Sequence, residues 1–124
     1  MKALSVKQPW ASLILRGQKT IELRSWSTRY RGPLVIVASR GPDWHALARP
    51  GALDGPRGVA LAQVDVVDVR PASLDYDAAE ALSDPMPGDF AWVLARPRAL
   101  ERVAVKGRLG IYELDEALVR AVAA

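Results

Sequence analysis

The sequence predicts an α+β domain that is mainly β, with five to seven short strands curled toward a barrel and helices packed around them. Three observations carry this reading. Strand-like runs of four to seven apolar or β-branched residues recur along 124 residues, separated by Gly, Pro and Asp clusters. The longest run, Val59 to Val69, switches its inward phase from Ala60, Ala62, Val64 and Val66 to Val67 and Val69, which predicts a bulge or sharp bend near Val66-Val67. The helical stretches between the strands are only a few turns long.

Ala3 to Val6 reads as the first strand, and Lys7-Gln8 as a turn into a short helix. Pro9 stands at a first helical position, Trp10, Leu13 and Ile14 repeat as one apolar stripe, and Gly17 sits where a left-handed C-terminal cap belongs. From Thr20 the period becomes two. Ile21 and Leu23 share one face, while Thr20, Glu22, Arg24 and Trp26 share the other. Arg29-Tyr30-Arg31-Gly32-Pro33 is a basic turn before Leu34-Val35-Ile36-Val37-Ala38, a continuous apolar run expected at the centre of the sheet and buried on both faces.

Asp43 is expected to cap a helix reaching toward Leu53, with Trp44, Leu47 and Ala48 facing inward. A second short helix is expected over Asp75 to Ser83 with Asp75 as its cap, followed by a breaker-rich loop, Asp84 to Asp89. Phe90 to Ala95, Arg102 to Val105 and Leu109 to Leu114 read as strands, with turns at Arg96-Pro97-Arg98 and Lys106-Gly107-Arg108. Asp115 is expected to cap a terminal helix carrying Leu118, Val119 and Val122. With no repeat or linker, residues 1–124 read as one domain.

Composition narrows function. There is no cysteine and a single histidine, His45, so neither a disulfide nor a protein-built metal centre is expected, and no cofactor is implied. No signal-type h-region or membrane-length apolar stretch is present, and the expectation is a cytoplasmic protein with no membrane association. Residues 1 to 40 hold eight Lys or Arg against one acid, Glu22, whereas the remaining 84 hold nine basic and thirteen acidic side chains. This one-sided positive field favours an anionic partner, RNA or a nucleotide first.

The densest chemistry lies in Gly17-Gln18-Lys19-Thr20-Ile21-Glu22-Leu23-Arg24-Ser25-Trp26, which gathers a cation, an anion, a guanidinium and a large aromatic along one strand. Together with Leu4-Ser5-Val6-Lys7-Gln8-Pro9-Trp10-Ala11, Arg29-Tyr30-Arg31-Gly32-Pro33-Leu34 and Ala38-Ser39, this segment closely resembles the ASCH domain family. Phe90-Ala91-Trp92-Val93-Leu94 and Val105-Lys106-Gly107 with Leu109-Gly110 resemble that family's closing strands. The resemblance implies a PUA-like fold, a curled and mostly antiparallel β-barrel with a cleft beside the first helix. It also implies RNA or nucleotide binding, with Lys7, Gln8, Lys19, Glu22, Arg24, Trp26, Arg29, Arg31 and Ser39 as candidate contacts.

Side-chain chemistry allows each role. Lys19, Arg24, Arg29 and Arg31 can neutralise phosphates, Glu22 can accept from an exocyclic amine, and an aromatic face offers a base about 1–3 kcal/mol of stacking. Trp26 is the aromatic expected to serve, since Trp10 lies on an apolar stripe and Trp92 sits between Phe90 and Leu94. Lys19 and Glu22 can equally form only a salt bridge, and Ser39 can merely end its strand. His45 is expected to be an ordinary surface or packing residue.

Two other classes stand beside binding. Some bacterial members of the family hydrolyse the amide of N4-acetylcytidine through a Gly-x-Lys-x-x-Thr motif, and others are proposed ribonucleases; here Lys19 and Glu22 are the candidate catalytic residues. Glu22 occupies the position of that Thr and removes its hydroxyl. A protein-interaction role, as in transcriptional coregulators carrying the domain, is the third reading.

Overall fold

The structure, a computed structural model, describes residues 1–123. Six strands form one sheet: β1 (Lys2–Val6), β2 (Ile21–Arg24), β3 (Gly32–Ala38), β4 (Val59–Pro71), β5 (Phe90–Ala99) and β6 (Ile111–Glu113). Their spatial order is β2-β5-β4-β3-β1-β6, and every neighbouring pair is antiparallel except β1 with β3. Three short helices, α1 (Trp10–Leu15), α2 (Trp44–Leu47) and α3 (Ala78–Ala81), and a 3-10 turn at Glu116–Leu118 complete the chain. The mainly β, curled half-barrel expected from the sequence is present.

Alternation along the strands builds two apolar faces. Leu4 and Val6 of β1, Leu34 and Ile36 of β3, and Val64 and Val66 of β4 join Ile14 of α1 and the fully buried Trp92 in the larger core. Ala3, Val35 and Val37 point the other way and meet Leu100, Val105 and Tyr112. All of Leu34 to Ala38 is therefore buried, as a central strand requires. No helix among the described residues is long and apolar enough to cross a membrane.

The bend in β4 lies where the phase switch puts it. Register against β5 shifts between Val66 and Asp68, and again between Gln63 and Asp65. Val67, however, points to solvent: one extra residue carries the buried phase from Val66 to Val69. On β5, the expected turn at Arg96-Pro97-Arg98 is instead strand. Arg96 adopts φ +53 opposite the second shift, so Pro97 sits in a bulge where no ladder donor is needed.

Several local expectations change. Pro9 is the N-cap of α1 rather than its first residue. Gly17, at φ +74, ends the helix as expected and sends its N–H to Ile14 O. α2 stops at Leu47, well short of Leu53; its buried residue is Ala46, while Trp44 is 68% exposed and Ala48 is exposed. Asp77, not Asp75, stands before α3, pinned by Arg70 at 2.7 and 2.9 Å and accepting from the Ser73 N–H. Residues 102–105 contribute a single bridge, Val59 with Ala104, instead of a strand. β6 keeps only three residues of Leu109 to Leu114, and Asp115 caps one 3-10 turn, after which Val119 is extended.

Candidate functional site

The turn at Gly17 decides where Lys19 goes. The N–H groups of Gln18 and Lys19 both bond to Leu13 O at 3.1 Å, which folds the chain back under α1 and drives the Lys19 side chain inward to 3% exposure. Its Nζ donates to Ala81 O at 2.5 Å and lies 3.6 Å from Glu22 Oε1. Glu22 is itself buried, and its Oε2 accepts from Arg24 Nε at 3.0 Å, with Nη2 at 2.9 Å. Arg24 Nη2 also donates to Ser5 O at 2.7 Å. Two residues apart on β2, Glu22 and Arg24 share a face as the strand period requires.

A continuous polar chain thus runs from α3, through Lys19, Glu22 and Arg24, to β1. Burial pushes the Lys19 amine below its ordinary value of 10.5; Glu22 opposes the shift, and Arg24 adds to it. Trp10 borders the same group. It rests against the core yet stays half-buried, its Nε1 donates to Asp43 Oδ2 at 2.9 Å, and its ring centroid is 4.9 Å from Lys19 Nζ and 5.7 Å from the Arg49 guanidinium. Asp43 is held below the usual carboxylate range by the Ala46 N–H and by the indole donor.

These residues form the inner wall of a cleft of ≈ 950 Å³. Of the residues singled out in the sequence, Lys7, Lys19, Glu22, Arg24 and Ser39 line it. The others lie elsewhere. Gln8 is fully buried beneath, its amide bonding to Pro56 O and the Ser12 N–H. Trp26 packs edge-on against Trp92, with ring centroids 4.9 Å apart, and its carbonyl takes the Trp92 Nε1 proton. Arg31 turns to Asp68 and to the carbonyls of Thr28, Tyr30 and Val69, and Arg29 is exposed outside the cleft.

Sequence reasoning passed over part of the wall. Arg40, Arg49, Lys106 and Arg108 line the cleft, as does His45. Only four of its seven Lys and Arg come from the basic first third of the chain. Lys106-Gly107-Arg108 had a visible cue, two cations flanking a glycine. Gly107 lies so close to β1 that a Cβ there would sit 2.9 Å from Ser5 Oγ.

The family model for the ASCH domain matches residues 4–104. The chain belongs to the ASCH domain family. This ASCH domain is 31% identical over 127 residues to activating signal cointegrator 1 of Homo sapiens, and 30% to that of Mus musculus. Each alignment covers 90% of this chain but only 22% of the relative, so the domain corresponds to about a fifth of those proteins. Among solved structures, ASCH from Zymomonas mobilis superposes with a TM-score of 0.69 at 13% identity, covering 94% of this chain and 88% of that one. A point mutant of the same bacterial protein gives 0.64 at 11% identity, over 93% and 90%. At such identities the likeness is one of fold: this ASCH domain shares its curled half-barrel with the bacterial protein.

Proposed function

We propose that this domain binds RNA or a nucleotide in the cleft beside Lys19, Glu22 and Arg24. One observation carries the reading: the cleft wall holds seven Lys or Arg against two carboxylates, Glu22 and Asp43, in a chain whose whole net charge is only +3. Its volume suits a ligand of nucleotide size. Trp10 replaces Trp26 as the aromatic in contact, because Trp10 borders the cleft and Trp26 does not.

The test is titration of a short, fluorescent single-stranded RNA by anisotropy at several salt concentrations. Affinity should fall as salt rises, with a log-log slope of about −0.7 per phosphate neutralised. Trp10→Ala should weaken binding by about 1–3 kcal/mol. Absent or salt-independent binding of RNA and nucleotides sinks the proposal.

A second reading, hydrolysis of an amide on a modified nucleoside such as N4-acetylcytidine, draws on the buried Lys19 amine, whose lowered pKa favours a neutral base or nucleophile. Conversion of N4-acetylcytidine to cytidine that Lys19→Met abolishes would support it; a flat time course at high protein concentration would remove it.

A further inference from the structure

Resting on the nucleotide-binding reading, we propose a division of labour within the cleft. The ligand's phosphates sit on a rim formed by Lys7, Arg40, Lys106 and Arg108, while Lys19, Glu22 and Arg24 face the uncharged base of one unpaired nucleotide.

The inner cations are already committed. Lys19 and Arg24 share the single carboxylate of Glu22, and each also donates to a carbonyl, Lys19 to that of Ala81 and Arg24 to that of Ser5. A phosphate reaching either would lie within a few ångströms of that carboxylate. Two negative charges that close repel each other, the more so where the cleft wall excludes water. A base suffers no such penalty, and Glu22 oxygens offer it acceptors in a site walled by Trp10.

The rim differs in charge and in construction. Among the described residues, Lys7, Arg40, Lys106 and Arg108 are exposed and make no ion pair within 4.0 Å; Arg16, Arg29, Arg102 and Arg120 are as free, and what sets the four apart is that they line one cleft. Asp43, whose carboxylate feels the charge of Lys7, gives its oxygens to Trp10 and the Ala46 N–H. The loop carrying Lys106 and Arg108 is anchored: Gly107 packs on Ser5, whose hydroxyl meets Tyr112 Oη at 2.7 Å.

Charge-matched variants of the full chain test the division, read by anisotropy of a fluorescent single-stranded RNA over about 50–300 mM salt. Arg40→Gln and Arg108→Gln should each flatten the log-log slope by about 0.7. Arg24→Gln removes the same charge, yet should weaken binding at every salt concentration with the slope unchanged. Glu22→Gln, which frees both inner cations, should likewise leave the slope intact.

Equal flattening by Arg24→Gln and Arg40→Gln, or a steeper slope in Glu22→Gln, overturns the division while leaving nucleotide binding standing. Failure of the wild-type chain to bind RNA or nucleoside monophosphates overturns both. Competition by a nucleoside monophosphate and by the same RNA annealed to its complement separates the sources. Strong competition by the free nucleotide and weak competition by the duplex support an unpaired nucleotide; the reverse order overturns it.

Discussion

Lys19 and Ala81 are joined directly: the buried amine donates to the last carbonyl of α3 at 2.5 Å. Next to it, the Thr20 N–H bonds to Glu80 O at 3.0 Å. The start of β2 is therefore stitched to α3 through both backbone and side chain. The bidentate Arg70–Asp77 pair, which holds the segment before α3 against β4, indirectly fixes the position of Lys19.

Lys19→Met should lower unfolding free energy by about 3 kcal/mol, because it removes one partner of a buried pair and orphans the Ala81 carbonyl. In urea titrations the double variant Lys19→Met/Glu22→Gln should cost less than the sum of the two single losses, since either substitution alone already removes the pairing between Lys19 and Glu22. Strict additivity of the two single variants contradicts coupling between them.

Lys19 should also leave a mark in the alkaline range. Its folded-state pKa lies below the ordinary 10.5, so the unfolded chain binds the proton more tightly. The penalty is full below the folded value and is relieved as pH rises from there to 10.5, because stability grows with pH wherever the unfolded state holds more protons. Wild-type stability relative to Lys19→Met should increase through that window. A constant or shrinking difference in chemical denaturation runs against it.

Leu82 follows α3 in the left-handed region at φ +56, where a side chain costs about 1–2 kcal/mol and glycine pays little. Leu82→Gly should therefore raise the melting temperature, by an amount corresponding to about 1 kcal/mol once the extra freedom of the unfolded glycine is deducted. A lower melting temperature shows that packing by Leu82 outweighs the backbone term.

Gln8 is the structural member of the group first grouped by motif. Fully buried, it ties α1 to the Pro56 segment, so Gln8→Ala should cost about 2–3 kcal/mol through unpaired donors and acceptors. Gly55→Ala should also destabilise, by about 1–3 kcal/mol, because its Cβ would fall 2.6 Å from Gln8 Nε2. Thermal melts of both variants check this.

Strand period and glycine placement made the sheet readable. Leu34 to Ala38 and the Gly17 stop carry local information strong enough to survive packing. The elements that were misjudged answer to distant partners. Trp44 looks inward on a helical wheel, but α2 is only four residues long and Arg57 covers its exposed ring. Asp75 and Asp77 are equivalent caps by composition; only Arg70, on another strand, distinguishes them. At the site, Glu22 and Arg24 follow from alternation along β2. Lys106 and Arg108 reach the cleft because the segment before them is tied to the start of β4 and β6 after them pairs with β1, long-range contacts without a local trace.

That last pairing has a bearing on synthesis. β6 is hydrogen-bonded only to β1, with Lys2 opposite Glu113 and Leu4 opposite Ile111. As the chain leaves the ribosome, the inner wall around Lys19 must wait for Ala81 and for β5, and the pairing of β6 with the first strand must wait until residue 113 has emerged. Contacts of such sequence separation form slowly. A chain shortened before β6 would display the Lys19 side of the cleft without the β1–β6 pairing that backs its opposite wall.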